Sequence, residues 1–321
     1  MQDKLQDKLK STSNIGGISV LSLFDGIACG RLALERAGIK VNSYSAYEIN
    51  DFSISVSRKN YPDIKQFGDV VTADFKKHIG VDLLIGGSPC QGLSNANVYL
   101  KDGEYGVNGT GVSSLFWHYV RALKTTKPKY FLFENVRSMR NADKAIISEQ
   151  LGCEPIEINS LLFSAQQRRR LYWTNIPFEI VTDRQTNDKL VDVLEPQVPN
   201  RYYLKEGTVG YILSNGTSGW RSGKRILNPE FGRPVVASCW KIHRADTDSY
   251  VTTDYQPEGR TNIRRLLPIE CERLQTLPDN YTLVDNGMSL PQLDKCRWES
   301  IGNSWTANVV AHIFGGLNGD L

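Results

Sequence analysis

The chain has 321 residues, is 40% hydrophobic and carries a formal net charge of +3, which describes a globular protein able to bury a large core, in one large domain or a large plus a small one. No apolar run reaches the length of a membrane span and the charged N-terminus (MQDKLQDKLKSTSN) lacks the apolar region of a secretory signal, so a soluble, cytoplasmic protein is expected. Six scattered cysteines, with no C-x-x-C pair and no histidines at metal-ligand spacing, exclude a zinc module and a disulfide scaffold, and no metal is expected.

Residues 1–17 read as a tail, with QDKL in tandem. From Ile18 the pattern becomes strand, glycine turn, helix: ISVLSLF, then DGIACG, then RLALERAG with apolar residues at helical spacing. A second strand is expected over Val41–Tyr47, then a helix ending near Pro62, a short buried strand before GGSPC, a helix through LFWHYVRALK and the strand YFLFE. Alternating strands and helices of this length predict a doubly wound parallel sheet of the Rossmann-like α/β class. After Pro177 the alternation fades into short strands and turns, and helical patterning returns in PIECERLQTL. The expected organisation is a large α/β unit over 18–180, a smaller, irregular, mostly β domain over 181–262 and a C-terminal return to the large unit over 263–321.

The stretch LLIGGSPCQGLSN places Cys90 where a buried strand ends and the chain turns polar. A free cysteine is often a small core residue, but the carboxyl ends of parallel strands are also where such folds keep their chemistry. Glu48, at the end of the second strand, lies 23 residues after Asp25, close to the ~20 expected of a carboxylate that binds a ribose diol. The glycines of FDGIACG do not follow G-x-G-x-x-G. Asp25 also sets negative charge where a pyrophosphate would rest on a helix N-terminus, so the pattern favours a nucleoside cofactor without phosphates, of which S-adenosylmethionine is the common case. Asp69, in FGDV, is suited to accept from an adenine amine. Each of these acids also has a plainer reading, as a turn or a solvated carboxylate.

FLFENVRSM sets Glu134 directly after an apolar strand, where a poorly solvated carboxyl can hold and give a proton, or cap the next helix. QQRRRLYW sets Arg168 and Arg170 two apart, on one side of an extended chain, where two cations favour a nearby thiolate or clamp a phosphate; an exposed basic turn is the alternative. From Arg201 to Arg244 eight basic residues face two acidic ones, interleaved with glycine and aromatics as in NGTSGWRSGKR. That composition suits a nucleic-acid surface, or a solvated basic face. The glycine- and asparagine-rich stretch Gly92–Val112 reads as a functional lid or a disordered loop.

A thiol, a proton donor and a nucleoside cofactor at neighbouring strand ends describe addition to an electron-poor ring followed by methyl transfer. With FDGIACG, GDV, GGSPCQGLS, GTGVSSLFW, ENV, QQRRR, RRLLPIECERLQTLP and IGNSWTANV in this order from Ser19 to Leu317, the chain resembles the cytosine-C5 DNA methyltransferases. SLFDGI and SAQQRRRLYWTNIP are similar to the animal de novo members, while the compact length points to a prokaryotic or phage enzyme, with or without a cognate restriction endonuclease.

The resemblance implies that Cys90 attacks C6 of a flipped cytosine in double-stranded DNA, that Glu134 holds and protonates N3, and that Arg168 and Arg170 steady the flipped nucleotide and the Cys90 loop. It implies a donor, S-adenosylmethionine, on Phe24, Asp25, Gly26, Gly30, Glu48, Ile49, Asp69, Val70, Pro89 and Leu115, closed by Asn303, Ser304 and Trp305. Gln91 and Ser94 are expected at the nucleotide, and Arg221, Lys224 and Arg225 at guanine or phosphate, within a target-recognition domain over 181–262. The chain departs from the family at Gly92-Leu93, where many bacterial members have phenylalanine before the serine, at Ile49, where an aromatic is frequent, and at Trp305, where valine is usual and the animal de novo enzymes share the tryptophan. A tRNA cytosine-C5 methyltransferase and a catalytically inactive DNA-binding regulator are the competing readings.

Overall fold

The computed structural model describes residues 16–93, 103–214, 226–243 and 245–319. The first element, β1 (Ile18–Leu23), is buried along nearly its whole length, as its run of Ile, Val and Leu requires of a central strand. A turn leads into α1 (Cys29–Arg36), which buries Cys29, Leu32, Ala33 and Leu34. The strand β2 (Val41–Tyr47) follows, then α2 (Asp51–Asn60), whose Asn50 side chain caps the Ser53 amide. After the two-residue β3 (Lys65–Gln66) come β4 (Leu83–Gly86), α3 (Phe116–Thr126) and β5 (Tyr130–Val136). The chain continues through α4 (Asn141–Leu151), β6 (Ile156–Asn159) and β7 (Arg169–Thr174).

These seven strands form one sheet in the order β3-β2-β1-β4-β5-β7-β6. The order reverses at β1, between β2 and β4, so the crevice of a doubly wound sheet opens at the carboxyl ends of those strands. The expected alternation is present, with one difference: β7 runs antiparallel to both β5 and β6. The segment from α4 to β7 has no second crossover helix, and without one the chain returns antiparallel.

The described residues of 181–262 hold short 3₁₀ turns, one helix, α5 (Glu206–Leu213), and the three-residue β8 (Tyr250–Thr252). The partner of β8 is β9 (Ile263–Arg265), so backbone hydrogen bonding continues across residue 262. Then come α6 (Pro268–Leu274), α7 (Leu290–Asn303) and α8 (Ala307–Gly315). The last of these packs on α1 and buries Val309, Val310, Ile313 and Phe314 beside Ile18, Val20 and Ile85 of the sheet.

A buried ion pair ties β9 to α6. Arg264 and Glu270 are 1% and 0% exposed and meet through two hydrogen bonds of 2.9 and 2.8 Å, while Glu270 also accepts the amides of Leu267 and Glu195. Glu270→Ala would leave the guanidinium buried and uncompensated, and a loss of about 3–5 kcal/mol is expected from urea unfolding. The double replacement Arg264→Met, Glu270→Leu should recover part of that loss.

Candidate functional site

A cleft of about 590 Å³ lies over the carboxyl ends of β1, β2, β4 and β5. Its floor is the β1–α1 turn. Phe24, Gly26 and Ala28 have φ of 57°, 59° and 62°, and the left-handed region is costly for phenylalanine and alanine. The turn is held by Glu48, whose Oε2 accepts the Gly26 amide at 2.8 Å while Oε1 accepts the amides of Ile49 and Asn50, both at 2.8 Å. Gly30 packs close behind: a Cβ there would come within 2.4 Å of Ile85. Asp69 accepts the Val71 amide at 2.8 Å, and Ile49 is 70% exposed.

Asp25 is the anomaly of this floor. Its Oδ1 accepts the Tyr44 hydroxyl at 2.7 Å, and its Oδ2 is buried without a hydrogen bond of normal geometry, although the Ser22 hydroxyl lies nearby. Burial, with a small addition from Glu48, pushes the carboxyl up to about 6 against the partial relief of Ser22 and Tyr44.

Cys90 sits on the opposite wall, in a loop pinned from several directions. Ser113 donates to the Pro89 carbonyl at 2.9 Å and accepts the Gly92 amide at 2.9 Å, and Asn135 donates to the Ser88 carbonyl at 3.1 Å. Gly92 has no room for a side chain, since a Cβ would lie 2.9 Å from the Ser113 hydroxyl. The described part of the Gly92–Val112 loop is anchored as well: the Gly106 amide donates to the Gly92 carbonyl and the Val107 amide to Asp143 Oδ1, both at 2.9 Å.

The strands β4 and β5 are parallel neighbours, and Gly86 is in register with Phe133. Glu134 therefore follows at the level where GGSPC leaves the sheet. Its Oε1 meets Arg170 Nε at 3.0 Å and its Oε2 accepts the Trp305 indole N–H at 3.1 Å. Arg168 is 3% exposed, and its hydrogen bonds run to the backbone carbonyls of Val235, Gly302 and Ser304. Its guanidinium joins three chain segments, and it is not an exposed basic turn.

Burial pushes the Cys90 thiol above the ordinary cysteine range; Arg170 opposes this, Glu134 adds to it and Arg168 opposes it. The expectation that two cations favour a thiolate is thus outweighed by desolvation in this state of the protein.

The cleft brings together Cys90, Gln91, Glu134, Arg168 and Arg170 with all thirteen expected donor positions: Phe24, Asp25, Gly26, Gly30, Glu48, Ile49, Asp69, Val70, Pro89, Leu115, Asn303, Ser304 and Trp305. Ser94, Arg221, Lys224 and Arg225 lie outside the described residues. Of the other basic residues counted above, Arg201 is committed to Asp294 at 3.3 Å. Sequence reading missed the wall formed by Ala237, Ser238, Trp240 and Lys241, and missed Tyr44 under Asp25. The wall carries no motif; the tyrosine could have been suspected as a polar tip in a strand facing a buried acid.

Since burial holds the Cys90 thiol above the ordinary cysteine range, the thiol is the prevailing form in the free protein at neutral pH. Alkylation of Cys90 by iodoacetamide, followed by peptide mass spectrometry, should still be rising at the pH where an ordinary exposed cysteine has levelled off. A plateau reached by pH 7 would show that Arg170 prevails over burial.

Residues 18–318 match the family model described as C-5 cytosine-specific DNA methylase. Among curated relatives, the chain is 27% identical over 310 residues to the Type II methyltransferase M1.ScrFI of Lactococcus lactis subsp. cremoris, covering 89% of this chain and 74% of that protein. It is 27% identical over 319 residues to the Type II methyltransferase M.HpaII of Haemophilus parainfluenzae, covering 88% and 84%. The orphan methyltransferase M.Rho11sI of Bacillus phage rho11s is 34% identical over 268 residues, 66% of this chain, which spans about half of that protein, 52%. Among solved structures, the Entamoeba histolytica methyltransferase EhMeth superposes with a TM-score of 0.73 at 20% identity, covering 95% of this chain and 99% of that one. The S. pombe Dnmt2 methyltransferase does so with 0.65 at 16% identity, covering 92% and 96%. At these identities the structural likeness is one of fold, a Rossmann-like methyltransferase sheet with a small second sheet. The match of the family model over nearly the whole length carries the assignment: the chain belongs to the C-5 cytosine-specific DNA methylase family.

Proposed function

We propose that this protein transfers a methyl group from S-adenosylmethionine to C5 of a flipped cytosine in a specific duplex DNA sequence, by way of a covalent bond between Cys90 and C6. The observation that carries this reading is the meeting of Cys90, Glu134 and Arg170 in one cleft with a nucleoside-type floor. C5 and C6 of a stacked cytosine are out of reach of any side chain, so the base must leave the duplex at a cost of a few kcal/mol.

The donor set suits a cationic nucleoside. Asp25 is a buried carboxylate short of a counter-charge, and the floor offers Glu48 for a diol and Asp69 for an amine. A phosphate there would meet three carboxylates. When bound, S-adenosylmethionine supplies an electrophilic methyl group. Phe24, Gly26, Gly30, Ile49, Val70, Pro89 and Leu115 would enclose it, with Asn303, Ser304 and Trp305 closing one side.

Arg170 fixes one oxygen of Glu134, and the carboxyl engages N3 of the entering base. The Cys90 sulfur adds to C6 as N3 takes up a proton, and the proton that Cys90 gives up balances the one that N3 gains. Glu134 passes the proton on and ends ionised beside N3–H, whose positive charge offsets the carboxylate that holds the thiol protonated, so base arrival itself activates the nucleophile. Addition makes C5 an enamine-like carbon that takes the methyl group. Loss of the C5 proton to water then restores the ring double bond and expels Cys90 as thiolate, which regains through Glu134 the proton that N3 gives back. Arg168 holds Ser304 and the Val235 segment in place.

We further assign residues 181–262 to target recognition and 18–180 with 263–321 to catalysis. Gln91 and Ser94 would contact the nucleotide, and Arg221, Lys224 and Arg225 guanine or phosphate. A cognate restriction endonuclease would share the site without forming a complex.

Methylation sequencing of DNA from cells expressing the wild-type chain should show 5-methylcytosine confined to one short sequence, and none with Cys90→Ala. Methylation of tRNA instead, or none of either, would contradict the reading. Donor affinity, measured by calorimetry, should rise as pH climbs through about 6, because ionised Asp25 favours a cation and its protonation below that pH removes the attraction. Asp25→Asn should flatten that rise. The same variant should stabilise the free protein at pH 8 by up to about 3 kcal/mol, an advantage that fades as pH falls through 6 towards 4.

A further inference from the structure

Trp305 lies in the short link between α7 and α8, a place where a side chain could be mere packing. Its backbone is unusually well fixed. On one side the Ser304 carbonyl accepts Arg168 at 3.0 Å and Gln275 at 3.2 Å. On the other, the Thr306 hydroxyl bonds Gln275 at 2.7 Å and Ser160 at 2.8 Å. The indole packs at the junction of two core clusters and presents its N–H to Glu134 Oε2 at 3.1 Å.

Glu134 is thus held at both oxygens, by Arg170 and by the indole. The terminal torsion of a glutamate is broad, so one contact alone leaves the carboxyl plane free to turn. Two contacts of different direction set it. Gly87 keeps the space for this arrangement: a Cβ there would lie 3.0 Å from the Glu134 carbonyl oxygen, 3.2 Å from Oε2 and 3.4 Å from the indole nitrogen. A half-buried indole N–H with a carboxylate partner is also a donor that packing alone does not require, since phenylalanine would fill much of the same space.

We propose that Trp305 is a positioning residue for Glu134: besides lining the donor cleft, its indole N–H fixes the carboxyl plane that meets N3 of the target cytosine. The inference rests on the reading of Glu134 given above. It makes one residue serve both halves of the cleft, so that the wall of the donor site also sets the geometry at the base.

The test needs a step that uses Glu134 but not the donor. Reversible addition of Cys90 to C6, with protonation at N3, makes the hydrogen on C5 exchangeable with solvent, and no methyl donor takes part. Release of tritium from unmethylated phage DNA labelled at cytosine C5 should be measured without S-adenosylmethionine, alongside steady-state methyl transfer. Trp305→Phe, and replacement of Trp305 by 3-benzothienylalanine, which keeps the bicyclic shape without the N–H, should each lower exchange and kcat by about 10-fold, with KM for DNA and donor within about threefold of wild type. Wild-type exchange in the benzothienylalanine protein would overturn the proposal and reduce Trp305 to packing. So would a loss in Trp305→Phe that lies wholly in donor KM. Absence of both exchange and methyl transfer in the wild-type protein would instead strike down the reading of Cys90 and Glu134, and the proposal with it.

Discussion

The antiparallel pairing of β7 on β5 is the constraint on which the site depends. In this register Arg170 lies opposite Val136, and Glu134 opposite Tyr172, so the arginine and the glutamate are diagonal neighbours across two strands and close at 3.0 Å. Were β7 parallel, like the other neighbours in the centre of the sheet, its first residues would emerge at the opposite end, away from Cys90. The same reversal delivers Arg168 beneath the cleft, where one buried guanidinium collects carbonyls from Val235, Gly302 and Ser304. A cation so placed is stable because the carbonyls that surround it replace the water it lost. It also ties the segment before Trp240 and the link before Trp305 to the strand that carries Arg170. The position of the far wall of the cleft and the position of the carboxyl at its centre are therefore not independent.

The electrostatics of the cleft are arranged for a ligand. Asp25 is held up by burial to about 6 and the Cys90 thiol is held above its usual range, so the free protein carries two groups whose ionised forms are disfavoured. In the proposed reaction each would be relieved by a different half: a cation on the floor for Asp25, and a proton-sharing base at Glu134 for Cys90. The strained turn at Phe24, Gly26 and Ala28 belongs to the same picture, because left-handed backbone at a non-glycine residue persists only where the surroundings enforce it. Here Glu48 enforces it from the neighbouring strand. Burying the charge and bending the turn both cost stability, which is what a preorganised site requires.

Much of this was legible in the sequence, for reasons that can be named. Val41–Tyr47 reads as a strand from its alternation and its flanks, and it is one residue for residue; the helix through LFWHYVRALK begins one residue later and runs two further than its apolar spacing indicates. Glu48 and Cys90 follow the ends of β2 and β4, and Glu134, expected just after its strand, lies two residues inside the end of β5, so the alternating pattern alone brings them to one edge. What the residues did not disclose depends on contacts distant in the chain. The reversal of β7 follows from the absence of a crossover helix, a negative signal. The task of Arg168 is set by carbonyls 67, 134 and 136 residues away, and nothing in QQRRR separates it from Arg170. The bond from Trp305 to Glu134 spans 171 residues. The desolvation of Cys90 is likewise a property of the assembled wall: the motif places two cations near the sulfur, and only packing decides that burial outweighs them. The segment 181–262 is read least well, because short turns and 3₁₀ pieces have no period.

The central claim is a covalent bond between Cys90 and the ring. It is tested most directly with duplex DNA in which cytosines are replaced by 5-fluorocytosine, incubated with the protein and S-adenosylmethionine and analysed by denaturing electrophoresis and peptide mass spectrometry. Fluorine at C5 cannot leave as a cation, so the reaction should stop after methyl transfer with the DNA bound to Cys90, and the peptide carrying Cys90 should bear the modified nucleotide. A denaturation-stable complex through another residue, or methyl transfer to unsubstituted DNA with no complex formed on the fluorinated duplex, would contradict the account.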